Sequence, residues 1–170
     1  RSLQTCDPSK MGSGDPSGFS LFLVKNNLPL LLLPRYRGNR LHVLFHICGV
    51  LHLHRDLLLG FLATGTGTLR KCLLQDFSHD LVRLEVHVIG LLGKTVTGPW
   101  MKLMYRGAET RLSYSAALDK VHLAITRLES VEDSLELLSW TEDCFNDPLI
   151  EDDPVLRALQ VKPASRVDLD

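Results

Sequence analysis

The chain has 170 residues, 45% of them hydrophobic and 23% charged, with a formal net charge of −1. This composition excludes a wholly disordered chain and fits one globular domain that can bury a core without disulfides. Leucine outnumbers valine and isoleucine 35 to 12 and 4, which favours helices because β-branched side chains lose rotamer freedom there. We predict a mostly α fold, an irregular helical bundle of about six helices with an irregular N-terminal leader.

The expected domain organisation has three parts along the chain. Residues 1–35 form a loose leader, 36–140 the helical bundle core, and 141–170 an acidic tail with a short helix. The leader is rich in Ser, Gly, Asp and Pro at its start, a composition typical of loops. Its two apolar runs, 19–24 and 28–33, are split by two asparagines and are interpreted as an extended pair or irregular packing.

A basic turn and a histidine-bearing helix come next. Arg35, Tyr36, Arg37 and Arg40 form a small cationic cluster with one aromatic ring, suited to phosphate or acidic partner contacts. Asn39 is a plausible N-cap, because its side-chain oxygen can accept an orphan N–H of the first helical turn. Apolar residues then lie all round the helical wheel, which predicts a buried helix.

Further helices follow in chain order. Leucines at helical spacing predict helices over 57–62 and 69–77, separated by the Gly/Thr loop 64–68. The segment after Asp80 fits both a strand and a helix, and its leucine-rich continuation favours a helix. Gly98-Pro99 is expected to break the chain, with Pro99 opening another short helix.

The last two helices have clear starting residues. A long helix over 114–138 is predicted, with Ser113 or Ser115 as its cap. Its stripe is apolar at every step but one: Leu118, Val121, Ile125, Leu128, Glu132 and Leu135. Asp153-Pro154 predicts an N-cap followed by proline at the first position of a short helix.

Charge is distributed unevenly. Residues 1–128 carry sixteen Lys/Arg and eight Asp/Glu, whereas 129–156 carry ten acids and no base. The acidic stretch can fold back on the basic body, face a different partner, or remain a solvated surface, the usual state of charge runs.

Histidines suggest a metal site, with zinc as the implied ion. On a helix, His42 and His46 share one face, while Cys48 and His52 form a second pair about 120° round the wheel. One straight helix cannot bring both pairs to one ion, so a tetrahedral zinc site needs ligands from elsewhere. The alternative is that these histidines are packed in a core or interface, with their ring nitrogens hydrogen-bonded.

Other catalytic and cofactor patterns are incomplete. The segment from Gly90 to Gly93-Lys94-Thr95 has two residues between its glycines, whereas a phosphate-binding loop needs four, so no nucleotide is expected and helix packing explains the glycines better. The four cysteines include no C-x-x-C pair and are interpreted as free thiols in an intracellular protein. No complete catalytic constellation is present, so enzymatic activity is not expected.

Two apolar segments superficially resemble membrane spans. The first, 19–34, is interrupted by Lys25, two asparagines and Pro29, so its unbroken apolar run, 30–33, is far shorter than the ~20 residues that a spanning helix needs. The second, 41–63, contains Arg55 and Asp56, each unfavourable by roughly 2.5–3.5 kcal/mol at a bilayer centre. We expect no membrane association.

A recurrent pattern carries a family resemblance. It comprises Y-R-G-N-R-L-H-V-L-F-H at 36–46, H-L-H-R-D-L at 52–57, L-L-G-K at 91–94 and T-G-P-W at 97–100. In this order the segments resemble the helical part of vertebrate transposable-element proteins of the transposase-like class, over 36–104. The resemblance implies a helical region within a ribonuclease-H-like transposase. No acid here matches a catalytic position, so the active site would lie outside this fragment or be lost.

Two functions follow as hypotheses. The first is a non-catalytic helical interaction module of a transposase-like protein, located in the nucleus. It would contact DNA through Arg35, Tyr36, Arg37 and Arg40, or a sister subunit through the bundle surface. The second is a metal-binding protein or metal-dependent enzyme that uses the His/Cys cluster of the helix after Arg40.

Overall fold

The computed structural model describes residues 16–33, 41–65, 67–105, 112–132 and 134–162. Within these ranges the fold is all helical apart from one isolated bridge between Glu142 and Pro148, which confirms the predicted mostly α bundle. The helices are α1 Pro16–Lys25, α2 Leu41–Leu53, α3 Arg55–Ala63, α4 Thr68–Ser78, α5 Asp80–Leu92, α6 Gly98–Tyr105, α7 Tyr114–Glu129 and α8 Pro154–Leu159. A π-helical turn, Gly93–Thr97, joins α5 to α6, and a 3₁₀ turn, Ser134–Ser139, follows α7.

Glycines set the central contact between α2 and α5. A Cβ atom added at Gly90 would lie 2.8 Å from the Cα atom of Gly49, so the two backbones touch without side chains between them. A Cβ atom added at Gly93 would likewise lie 3.0 Å from the carbonyl oxygen of Phe45 in α2. The prediction that Gly90 and Gly93 serve helix packing is confirmed. Gly49 does not interrupt α2, which continues to Leu53.

Only part of α2 is enclosed. Its buried residues are Cys48, Gly49, Val50 and Leu51, whereas Leu41 and Leu44 in its first turn are exposed. The expectation of a helix buried all round is therefore wrong for its N-terminal half. The glycine contact with α5 lies in the second half of α2, at Gly49, where the buried residues of the helix also lie.

Two local predictions are corrected. The run 19–24 is part of the helix α1, where Phe19 and Phe22 pack against Phe61; it is not extended or irregular. Asn27 ends this helix region at a positive φ of 54°, a conformation that asparagine tolerates well. The π turn carries the chain helically past Gly98, so Gly98-Pro99 is not a break.

Helix α7 ends at Glu129, nine residues before the predicted end. Ser130 follows as its C-cap, and the Ser130 hydroxyl donates to the carbonyl of Arg127. The next residues carry several acids. Negative charge is unfavourable at a helix C-terminus, where the partial charge of the helix dipole is also negative. The acidic run therefore explains the early stop.

The acidic stretch folds back on the basic body. Lys94 pairs with Asp153 at 2.5 Å, and Arg127 pairs with Glu142 at 3.2 Å. The backbone N–H of Cys144 donates to the carbonyl of Thr95. This segment also contributes residues to both core clusters. One contains Leu23, Leu32, Val50, Leu91, Val155 and Leu159, and the other contains Ala124, Trp140, Cys144 and Phe145.

The predicted helix starts in the second half of the chain are confirmed. Ser113 accepts a hydrogen bond from the N–H of Ala116 and caps α7. Asp153 accepts from the N–H groups of Val155 and Leu156 and caps α8. Across the described ranges no single helix has the length and hydropathy of a membrane span. Helices α2 and α3 taken together do have them, but the two helices meet at an angle of 79°.

Candidate interaction site

The predicted cationic contact residues lie outside the described ranges. Arg35, Tyr36, Arg37 and Arg40, together with the proposed cap Asn39, precede the first described residue of α2. Their role as a DNA or partner contact stays a prediction from the sequence.

The predicted metal ligands lie at different places along α2. His46 lies on an exposed part of α2; partial desolvation lowers its pKa, the charge of Lys94 lowers it further, and Asp153 opposes the shift. Burial raises the pKa of Cys48, which disfavours the thiolate that binds zinc. His42 is partly exposed near the start of the helix. No three His, Cys, Asp or Glu side chains converge to hold a metal ion in the part of the chain that is described.

His52 instead contacts a second histidine. Its ring lies 4.3 Å from the ring of His87 between centroids. His87 is buried, and its Nε2 atom is 2.5 Å from the carbonyl oxygen of Leu159. Burial lowers the pKa of His52 to about 4, helped by the charges of His87 and of two arginines. His52 therefore lies in a packed helix contact as a neutral imidazole.

The residues of the incomplete phosphate-loop pattern have structural partners. Lys94 pairs with Asp153, and the buried hydroxyl of Thr95 donates to the carbonyl of Leu91. Partial burial works to raise the pKa of Asp153. The hydrogen bond and charge of Lys94, with two backbone N–H groups, outweigh it, so this pKa lies below its usual value of 3.8. The ion pair joins the π turn to the start of α8.

Helix α7 buries its small and basic face. Ala124 is buried in the second core cluster. On the same face, Lys120 lies 5.8 Å from the ring centre of Phe145, and Arg127 lies 4.5 Å from the ring of Trp140. These cation–π contacts let the aliphatic stems of the two bases cover aromatic surface while their charges remain near solvent.

The apolar stripe of α7 faces solvent. Tyr114 is 87% exposed, Leu118 43%, Ile125 46% and Leu128 36%, while Val121 is partly buried. Sequence periodicity identifies the part of this stripe from Leu118 to Leu128 but does not decide whether it is buried. It does not show that the opposite face, with alanines and two bases, packs on the aromatic rings of Trp140 and Phe145. We call the five residues from Tyr114 to Leu128 the α7 stripe.

Adjacent exposed apolar side chains mark interaction surfaces more often than scattered ones. The α7 stripe extends along four turns of one helix and is therefore the candidate interaction site. Comparison of the chain with known protein families, with curated proteins and with solved structures gives no match.

Proposed function

We propose that the chain is a non-catalytic helical interaction module that associates with a second copy of itself through the α7 stripe. The observation that carries this proposal is the exposure of four of the five stripe residues on a helix whose other face packs against the second core cluster through Ala124. Burying each such side chain is favourable by about 25 cal/mol per Å² of apolar surface. A partner surface therefore has a clear energetic reason to cover the stripe.

The spacing of the stripe favours a partner helix. Its members, Tyr114, Leu118, Val121, Ile125 and Leu128, are separated by four, three, four and three residues. This is the 3.5-residue repeat by which two helices interlock their side chains. The sixteen residues of α7 give a contact about 24 Å long. Such a contact is short, so a dimer of modest affinity is expected.

An antiparallel arrangement fits two identical stripes. With a two-fold axis at Val121, Tyr114 lies opposite Leu128 of the second copy, and Leu118 lies opposite Ile125. A two-fold interface requires a surface that is complementary to itself in this way. At the edge of the stripe, Glu129 then lies near Ser115 of the second copy rather than near another acid. The opposed helix dipoles also attract each other.

Sedimentation velocity over a range of protein concentrations tests the proposal. The chain should pass from monomer to dimer as concentration rises, and Leu118→Glu should leave it monomeric because a charge cannot be buried unpaired at the seam. Leu81→Glu is a matched control, since Leu81 is also 43% exposed but lies on α5. A chain that stays monomeric at high concentration, or equal dimerisation of the two variants, contradicts the proposal.

Cysteine crosslinking tests the orientation. In a chain with Cys6 and Cys72 replaced by serine, Leu118→Cys should crosslink to a copy that carries Ile125→Cys. It should not crosslink efficiently to another Leu118→Cys copy, because those positions lie on opposite sides of the two-fold axis. Efficient self-crosslinking of Leu118→Cys indicates a parallel pair instead.

The transposase-like ancestry is part of the same proposal and is supported by the sequence pattern over 36–104. A nuclear location and contact with DNA through Arg35, Tyr36, Arg37 and Arg40 belong to it. Neutralising the three arginines should weaken DNA binding and reduce the slope of log affinity against log salt by about 2.7, since each phosphate contact contributes about 0.9. Absence of DNA binding at low salt contradicts this contact.

Sequencing the full transcript tests the transposase-like ancestry, by the presence or absence of catalytic acids beside this segment.

A further inference from the structure

A small pocket lies where the junction of α2 and α3 meets α4 and α5. Its volume is about 10 Å³, which is room for the centre of one water-sized atom. Its lining residues are Leu51, His52, Arg55, Phe77, Val82, Arg83 and Val86. Two of these carry a permanent positive charge, and none is acidic.

Two nitrogen atoms at this pocket are buried without a hydrogen-bond partner. They are Nδ1 of His52 and Nε of Arg55. The other guanidinium nitrogens of Arg55 are engaged, since Nη2 donates to the carbonyl of Phe77 at 3.2 Å and Nη1 lies 3.5 Å from Asp56. An unpaired buried donor on a charged group is unfavourable by more than the ~1–3 kcal/mol of a neutral one. An acceptor atom inside the pocket removes that penalty.

The charges around the pocket are poorly balanced. Asp56 is the acid that contacts Arg55, and its side chain is 95% exposed, so solvent screens it strongly. Arg83 forms no ion pair with any residue in the described ranges. The acceptor that best fits the pocket is therefore negatively charged rather than a neutral water.

We propose that this pocket binds a small inorganic anion, with a halide or a single oxygen of phosphate entering between Arg55 and Arg83. Nε of Arg55 then donates to the anion from inside the pocket, and the guanidinium of Arg83 neutralises it from the rim. The volume admits one such atom, so the rest of a phosphate would remain outside.

Anion binding is coupled to a proton through His52. The backbone carbonyl of Ala158 in α8 favours the protonated His52 ring, whereas Nδ1 has no hydrogen-bond partner and carries a lone pair when the neutral ring is protonated at Nε2. Burial lowers the pKa of His52 to about 4, with further lowering by His87 and Arg83 of α5 and Arg55 of α3. A bound anion favours the protonated ring, whose Nδ1–H then becomes a second donor to it. Binding therefore strengthens as pH falls.

NMR titration of His52 in the full chain tests the inference, with its signal assigned from its loss in His52→Asn. The titration is run in chloride, in inorganic phosphate and, at the same ionic strength, in gluconate, whose carboxylate is attached to a bulky polyol chain that hinders its approach to buried groups. Chloride or phosphate should raise the pKa of His52 by one unit or more above its value in gluconate, saturably with anion concentration. A response to chloride alone identifies a halide site, and a response to phosphate identifies an oxyanion site.

Arg83→Gln should reduce the anion affinity at least tenfold, while Lys71→Gln, an equal loss of charge at an exposed position of α4, should not change it. Circular dichroism checks that both variants are folded. An equal pKa of His52 in all three salts means that the pocket holds only water and overturns the inference. An equal effect of the two substitutions shows general screening and overturns it too.

Discussion

Replacing Gly90 by alanine is the most direct perturbation of the fold. The new methyl group would lie 2.8 Å from the Cα atom and 2.9 Å from the N atom of Gly49. Both are backbone atoms that cannot rotate away, so α2 and α5 must separate. Overpacking of this kind costs about 1–3 kcal/mol, whereas glycine to alanine in a helix gains about 0.5–1 kcal/mol. We expect a net loss of about 1–2 kcal/mol in the free energy of unfolding.

Thermal unfolding followed by circular dichroism measures this loss. For a chain of this size a change of 1–2 kcal/mol lowers Tm by about 2–8 °C. Gly60→Ala is the matched control, because nothing lies within 4 Å of a Cβ atom at that position of α3, and its Tm should rise. Gly49→Ala should be intermediate, since its nearest contact is the side chain of Val155. If Gly90→Ala is as stable as Gly60→Ala, the two helices are not in backbone contact and the reasoning is refuted.

Three further outcomes are expected. Asp153→Ala should lower the free energy of unfolding by about 1 kcal/mol or more, since it removes the α8 cap and a partly buried ion pair. Chemical denaturation measures this loss, and an unchanged free energy of unfolding contradicts the prediction. Folding lowers the pKa of His52 from 6.5 to about 4, so stability should fall as pH drops through this window. Over the same drop in pH, the urea midpoint of His52→Asn should fall less than that of a His122→Asn control. Equal falls in the two variants contradict the lowered pKa of His52. Alkylation read by peptide mass spectrometry should modify exposed Cys72 well before Cys144, whose pKa burial and then Asp143 raise to about 11; fast modification of Cys144 means that the second core cluster opens readily.

Much of the local structure was predictable because its signals lie within a few residues. The excess of leucine over β-branched residues indicated helices, and the caps Ser113 and Asp153 act on N–H groups two or three positions ahead. The small residues Gly90 and Gly93 indicated a close helix contact. The end of α7 was missed because the acidic run after Glu129 opposes a helix that the apolar pattern alone would continue.

The candidate sites depended on residues far apart in the chain. The ring contact between His52 and His87 joins α2 and α5, as does the close contact of Gly49 with Gly90, and no spacing in the sequence indicates the ring contact. The pocket at Arg55 and Arg83 has the same origin. Long-range packing of this kind has no local periodicity that sequence reasoning can detect.

The sequence alone determined that the chain is helical, where most of its helices begin, and that α7 carries an apolar stripe. Only the tertiary structure decided which face of α7 is buried. Trp140 and Phe145 offer ring surfaces to Arg127 and Lys120, and Ala124 allows close approach to them. Packing of this face leaves the stripe of larger apolar side chains exposed. Both faces of α7 can pack, so the neighbouring residues decide which one is buried.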